Sequence, residues 1–152
     1  MKILVFSDTH GSFMHAIDII NNTDRVDAVI HCGDMLHDCI EIEKAIPEAI
    51  PFYYVCGNND LSFDTPRDLS IELGGKKIFI THGHLYGVRR GTEMLKNKIY
   101  EGFDIVLYGH THQKNIEYCK NGIILNPGSM SFYANNYAVI EIENGAVRAK
   151  LM

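Results

Sequence analysis

The tightest constraint on the fold is a recurrence of short apolar runs that each break into a polar cluster. "KILVFS" (2–7), "DAVIHCGD" (27–34) and "PFYYVCGNND" (51–60) contain such runs. Continuous apolarity is the pattern of a strand buried on both faces. Between the first two lies "GSFMHAIDIINN" (11–22), with Phe13, Ile17 and Ile20 at helical spacing. "DCIEIEKAI" (38–46) reads as a second, short helix that Pro47 ends. The order βαβαβ implies a parallel sheet with right-handed crossovers.

The second half has a different texture. "SIELGGKKIFITHGH" (70–84) reads as two strands joined at Gly74-Gly75. "GTEMLKNKIYEG" (91–102) reads as a helix, with Thr92 as its cap and Gly102 past its end. "FDIVLYGHTH" (103–112) is another buried strand with a polar terminus. Two hairpins follow, one around Asn121-Gly122 and one turning at Asn144-Gly145. Strands joined by tight turns point to a mixed or second sheet. No linker, repeat or low-complexity segment divides the 152 residues, so one domain is expected over 1–152.

Composition narrows the function. Hydrophobic residues make up 46%, enough for a real core, and the net charge of −5 disfavours broad binding to nucleic acid or anionic lipid. Cys32, Cys39, Cys56 and Cys119 lie in unrelated contexts without a CxxC pair, the pattern of reduced cytoplasmic thiols. The apolar start turns polar at Asp8, too soon for a signal peptide, and no run approaches the ~20 residues of a membrane span. The expected protein is soluble and cytoplasmic.

Five runs end in "SDTH" (7–10), "CGDM" (32–35), "GNND" (57–60), "THGH" (81–84) and "YGHTH" (108–112). Open α/β sheets bind ligands at the carboxyl ends of their strands, so clusters distant in sequence converge there. Asp, His and Asn are oxygen and imidazole ligands suited to divalent transition metals. Each cluster also has a plainer explanation. Asp8 can cap the following helix. "GNND" is a good turn sequence. The paired histidines of "HGH" and "GHTH" resist that explanation, because strict strand alternation would put both members on one side.

The ordered set "DTH…GD…GNND…HGH…GHTH", continuing through "NPGS" (126–129), resembles the calcineurin-like metallophosphoesterases. It is most similar to their small single-domain, YfcE-like phosphodiesterase group. The resemblance covers most of the chain. It implies an α/β fold, a four-layer α/β/β/α sandwich with two mixed β-sheets. It implies two divalent ions, Mn²⁺ or Ni²⁺ first, with Fe, Co or Zn as alternatives. Asp8, His10 and His112 would hold one ion; Asn58, His82 and His110 the other; Asp34 would bridge them. A bridging carboxylate suits two cations held ~3.5–4 Å apart. The implied reaction is in-line attack of a metal-bridged hydroxide on a phosphodiester, without a covalent enzyme intermediate.

One departure matters. Most of the family reads "GNHD" where this chain has Asn59. Asparagine donates a hydrogen bond but delivers no proton at neutral pH, so the expected preference is for esters with good leaving groups. His84 can substitute as a proton-transfer group or serve as a turn histidine. Asp60 can orient a ligand histidine through its ring N–H. Thr111 is expected to point away from His110 and His112. Arg89-Arg90 read as a solvated pair within reach of substrate oxygens. Asn126 reads as turn support rather than a ligand. The aromatics of "SFYANNY" (131–137) read equally as a loop or as a contact for a second copy. The expected partner is a small phosphodiester. The alternatives are a phosphomonoesterase, a nucleotide or cyclic-nucleotide phosphodiesterase, or, in another class, an interaction scaffold of the retromer-subunit type.

Overall fold

A computed structural model describes all 152 residues. The first half alternates as expected: β1 (Lys2–Phe6), α1 (Phe13–Asn22), β2 (Ala28–His31), α2 (Leu36–Ala45) and β3 (Phe52–Tyr54). Next come β4 (Asp68–Leu73), β5 (Lys76–Thr81), α3 (Glu93–Tyr100) and β6 (Ile105–Leu107). The chain closes with β7 (Asn115–Cys119), β8 (Gly122–Asn126), the short β9 (Met130–Ser131) and β10 (Ala134–Asn135), then β11 (Ala138–Glu143) and β12 (Ala146–Leu151).

These strands form two five-stranded sheets, β12-β11-β1-β2-β3 and β4-β5-β6-β8-β7. Both are mixed. β1, β2 and β3 run parallel while β11 pairs antiparallel with β1. β5, β6 and β8 run parallel, with β4 and β7 antiparallel at the edges.

Side-chain alternation builds the layers. Ile3 and Val5, with Ile78, Ile80, Ile105 and Leu107, fill the space between the sheets. Leu4, Phe6 and Val29 point the other way, onto Ala16, Ile17 and Ile20 of α1 and Ile42 of α2. On the opposite face, Phe79, Val106 and Ile124 meet Leu95 and Ile99 of α3. The result is the four-layer α/β/β/α arrangement. No helix is long and apolar enough to cross a membrane. All four cysteines are free thiols.

Several local expectations change. Thr92 begins α3 but makes no capping bond; its hydroxyl goes to Glu117 of β7 instead. Gly122 lies inside β8 rather than at the turn, where a Cβ would meet the Asp104 carbonyl at 2.5 Å. The "SFYANNY" segment forms the ribbon β9–β10, with Phe132 and Tyr133 exposed at its tip.

Candidate metal centre

β1, β2, β5 and β6 all stop just before their polar clusters, and there the backbone turns left-handed. Asp8 (φ 54°), His10 (φ 43°), Asp34 (φ 64°), His110 (φ 66°) and His112 (φ 59°) all have positive φ. L-residues rarely adopt this region, and it concentrates at functional sites. His110 and His112 therefore meet the site through two left-handed turns, not through the strand alternation expected for "GHTH".

Asp8 is the most constrained of these residues. Its Oδ2 accepts from Ser7 Oγ at 2.6 Å and from the His110 amide at 3.0 Å. Its Oδ1 is buried and has no hydrogen-bond partner. Ser129 Oγ donates to the Asp8 carbonyl at 2.8 Å, fixing the turn from behind. Asp8 caps no helix. Burial pushes its carboxyl up to about 7, against the Ser7 hydrogen bond and with added repulsion from Asp34.

The first predicted ligand set comes together. Asp8 Oδ1 lies 3.2 Å from His112 Nε2, and His112 Nε2 lies 3.4 Å from His10 Nε2. In the second set, His82 Nδ1 donates to the Cys32 carbonyl at 2.9 Å. That bond puts the proton on Nδ1 and turns a bare Nε2 lone pair inward. Nε2 then faces Asn58 Oδ1 at 3.1 Å and Asp34 Oδ1 at 3.4 Å. Burial holds the His82 ring at about 4, so it is neutral at pH 7. The bare His82 Nε2 thus faces the oxygens of Asn58 and Asp34 with no proton of its own between them, an arrangement a cation would relieve. This donor set fits divalent metal ions.

His110 and Asp34 differ from the expected arrangement. The His110 ring packs beside His82, with centroids 5.1 Å apart, but its nitrogens stay outside the convergent set. Asp34 joins His82 and Asp8 but does not reach His10 and His112. Asp8 is the residue common to both groups. Asp34 is held by Asn59 instead: the Asn59 amide nitrogen donates to Oδ2 at 2.7 Å and its backbone N–H to Oδ1 at 3.1 Å.

Asp60 orients no histidine. Both its oxygens are taken by backbone amides, Leu36 at 2.7 Å and Gly57 at 2.8 Å, tying the "GNND" loop to the start of α2. His84 sits in a 3₁₀ turn with its ring 5.4 Å from His82 and a buried, unpartnered Nδ1. Thr111 Oγ1 accepts from Asn126 Nδ2 at 3.0 Å, and Asn126 Nδ2 also holds the Gly109 carbonyl at 2.8 Å. Asn126 thus shapes the "GHTH" turn, as expected of a supporting residue.

Three contributors were missed from sequence. Ser7 is one. Gly57 and Gly109 are the others, and they are glycines for space rather than for φ. A Cβ on Gly57 would stand 1.9 Å from Asp34 Oδ1, and one on Gly109 1.9 Å from Ser7 Oγ and 2.7 Å from Asp8 Oδ2. The available signal was a glycine immediately before both ligand clusters.

Residues 1–145 match the calcineurin-like phosphoesterase superfamily domain. Phosphodiesterase MJ0936 of Methanocaldococcus jannaschii is 34% identical over 93% of this chain and 92% of its own. The crystal structure of a predicted phosphoesterase from Streptococcus pneumoniae is 30% identical, with a TM-score of 0.81 over 99% of this chain and 88% of that one. Vps29 from Entamoeba histolytica shares the fold at 22% identity and a TM-score of 0.73, covering 100% of this chain and 98% of that one.

Proposed function

The chain belongs to the calcineurin-like phosphoesterase superfamily, and from that membership we propose that it is a phosphodiesterase working on small diesters with two divalent ions. The observation that carries the reading is the convergence of potential ligand atoms, Asp8 Oδ1, His112 Nε2 and His10 Nε2 on one side and His82 Nε2, Asn58 Oδ1 and Asp34 Oδ1 on the other. When bound, the ions supply Lewis acidity toward phosphoryl oxygens and a water nucleophilic at neutral pH.

The chain's own residues divide the remaining work. Asp8, His10 and His112 hold one ion. His82 and Asn58 would hold the other, joined by His110 once its ring turns inward, with Asp34 offered to both. The Cys32 carbonyl keeps His82 in the tautomer that binds. The Asn59 side-chain amide donates to Asp34 Oδ2 at 2.7 Å and would have to yield if that oxygen were to serve as a ligand. Asn59 is therefore a positioning residue for Asp34. His84, in ring contact range of His82, is the remaining group able to hand a proton to a leaving oxygen. Mn²⁺ and Ni²⁺ suit the Asp/His/Asn donors.

Purified protein is expected to hydrolyse bis-p-nitrophenyl phosphate with added Mn²⁺ or Ni²⁺, faster than p-nitrophenyl phosphate, and to lose both activities to a chelator. No chelator-sensitive hydrolysis of either ester would sink the reading. An Asn59→His variant supplies a titratable group beside Asp34. It is expected to gain about tenfold or more on alkyl esters and little on aryl esters, in line with general-acid catalysis. Equal gains on both would show that position 59 has no proton-transfer role.

A further inference from the structure

Beside the ligand histidines lies a cavity of about 380 Å³, lined by Val88, Arg89, His110, Thr111, His112 and Gln113. It has the size of a small-ligand site. It opens against His110 and His112 together, so a substrate held at the ions extends naturally into it. No carboxylate lines it.

Arg89 is placed there by a fixed loop. Val88 is buried among Phe79, Leu95 and Tyr108, and its methyls pack 3.0–3.1 Å from where a Cβ on Gly83 would be. Gly87 (φ 62°) and Gly91 (φ 141°) bracket the loop, and the Arg90 amide closes a turn onto the Gly87 carbonyl at 2.8 Å. Arg89 pairs with no carboxylate, as is true of every arginine here except Arg25, which meets Asp27 at 3.9 Å; what sets Arg89 apart is its place in the cavity wall beside His110 and His112. In a chain of net charge −5, an unpaired guanidinium facing an acid-free cavity marks a place for a second anion.

We infer that Arg89 and Gln113 form a subsite for a second phosphate group carried on the non-scissile part of the ester. The guanidinium fork matches a phosphate bidentately, and the Gln113 amide adds a neutral donor. The substrate class is then a diester whose alcohol component is itself phosphorylated. This inference rests on the phosphodiesterase reading for its catalytic test and not for its binding test.

Two substrates sharing one leaving group isolate the subsite: the 5′-p-nitrophenyl ester of thymidine 5′-phosphate, and the same ester with a 3′-phosphate. Wild type is expected to show kcat/KM about tenfold or more higher on the second, the scale of one charge-assisted bidentate contact. Arg89→Ala should remove that preference, Arg89→Lys restore part of it, and Arg90→Ala, outside the cavity, keep it. A preference unchanged in Arg89→Ala would overturn the inference. Calorimetry of thymidine 3′,5′-bisphosphate on the Mn²⁺-loaded protein gives a readout independent of turnover. Arg89→Ala should weaken binding about tenfold or more; equal affinity overturns the subsite. Hydrolysis of neither ester would instead count against the phosphodiesterase reading, leaving calorimetry to decide the subsite.

Discussion

Replacing Asp8 with asparagine is expected to disable the ion position it shares with His10 and His112 while making the metal-free protein more stable at pH 8. The shape of the side chain is conserved, but its hydrogen-bonding pattern is not. The amide oxygen keeps the Oδ2 position, where Ser7 Oγ and the His110 amide donate at 2.6 and 3.0 Å. The NH₂ group then occupies the place of Oδ1 and presents protons to the cation position. Stability moves the other way. Burial pushes the native carboxyl from its ordinary 3.8 up to about 7, so the native state keeps a proton that the unfolded chain has lost. The stability linked to this group is full below about pH 4 and disappears as pH rises through 7. Ionised Asp8 therefore penalises the metal-free fold at pH 8 by a few kcal/mol, on the order of 4, and the asparagine variant removes that penalty. Thermal denaturation at pH 8 with chelator and with Mn²⁺ checks both halves. The variant should melt higher than wild type with chelator and gain much less from Mn²⁺ than wild type does. Wild-type loading should also release a proton near pH 7, measurable by calorimetry in buffers of different ionisation enthalpy, and this release should be absent in the variant. Mn²⁺ stabilisation undiminished from wild type in Asp8→Asn would overturn the assignment of Asp8 as a metal ligand.

Gly57→Ala is expected to be the most damaging single methyl. The new Cβ would lie 1.9 Å from Asp34 Oδ1 and 2.5 Å from the Asp34 backbone nitrogen. A side chain can rotate away from such a clash, but a backbone nitrogen cannot. The Asp34 turn and the "GNND" loop must move apart, which also disturbs the Asp60 bonds to Leu36 and Gly57. Overpacking of this kind costs about 3 kcal/mol, or a fall of roughly 10 °C in Tm at this chain length. Displacing Asp34 by about 1 Å should lower kcat/KM by about 10²-fold. Gly75→Ala provides the contrast. Gly75 lies at the tip of the β4–β5 hairpin with φ 72° and nothing within 4 Å of a Cβ. Its substitution should cost about 1 kcal/mol for the left-handed backbone and leave kcat unchanged. If Gly57→Ala melts and turns over like Gly75→Ala, close packing against Asp34 is not what that glycine supplies.

The two cases separate what the sequence shows from what it hides. Strand and helix order were readable because periodicity is local: "KILVFS", "GSFMHAIDIINN" and "DAVIHCGD" each carry their own burial pattern. Convergence of the clusters was readable because parallel strands end together. The identity of the ligand-bearing residues followed from their chemistry. The conformation of those residues was hidden. Aspartate and histidine carry only a weak signal for a left-handed turn, unlike Gly74-Gly75 and Asn144-Gly145, whose hairpins form where expected with φ of 57° and 72°, and 49° and 77°. Long-range partners were hidden as well. Nothing in "GNND" says that Asp60 serves the Leu36 amide or that Asn59 grips Asp34. Nothing in "SDTH" says that Ser7 rather than a helix end engages Asp8. The Asn59 and Asp60 contacts depend on how loops 24 or more residues apart meet at the sheet edge, and even the Ser7–Asp8 bond depends on the left-handed turn at Asp8.

The left-handed ligands bear on how such a site persists through mutation. Asp8, His10, Asp34, His110 and His112 all occupy a region of backbone space where glycine or asparagine is more comfortable. Each histidine there gives up roughly 1 kcal/mol that a glycine would keep. Without a bound cation, most single steps toward glycine at these positions would be favourable to the fold. A lineage using this architecture only as a docking platform would meet a downhill slope away from these side chains. In this chain they stand together, and the fold carries their combined strain as a standing load that cation binding can offset.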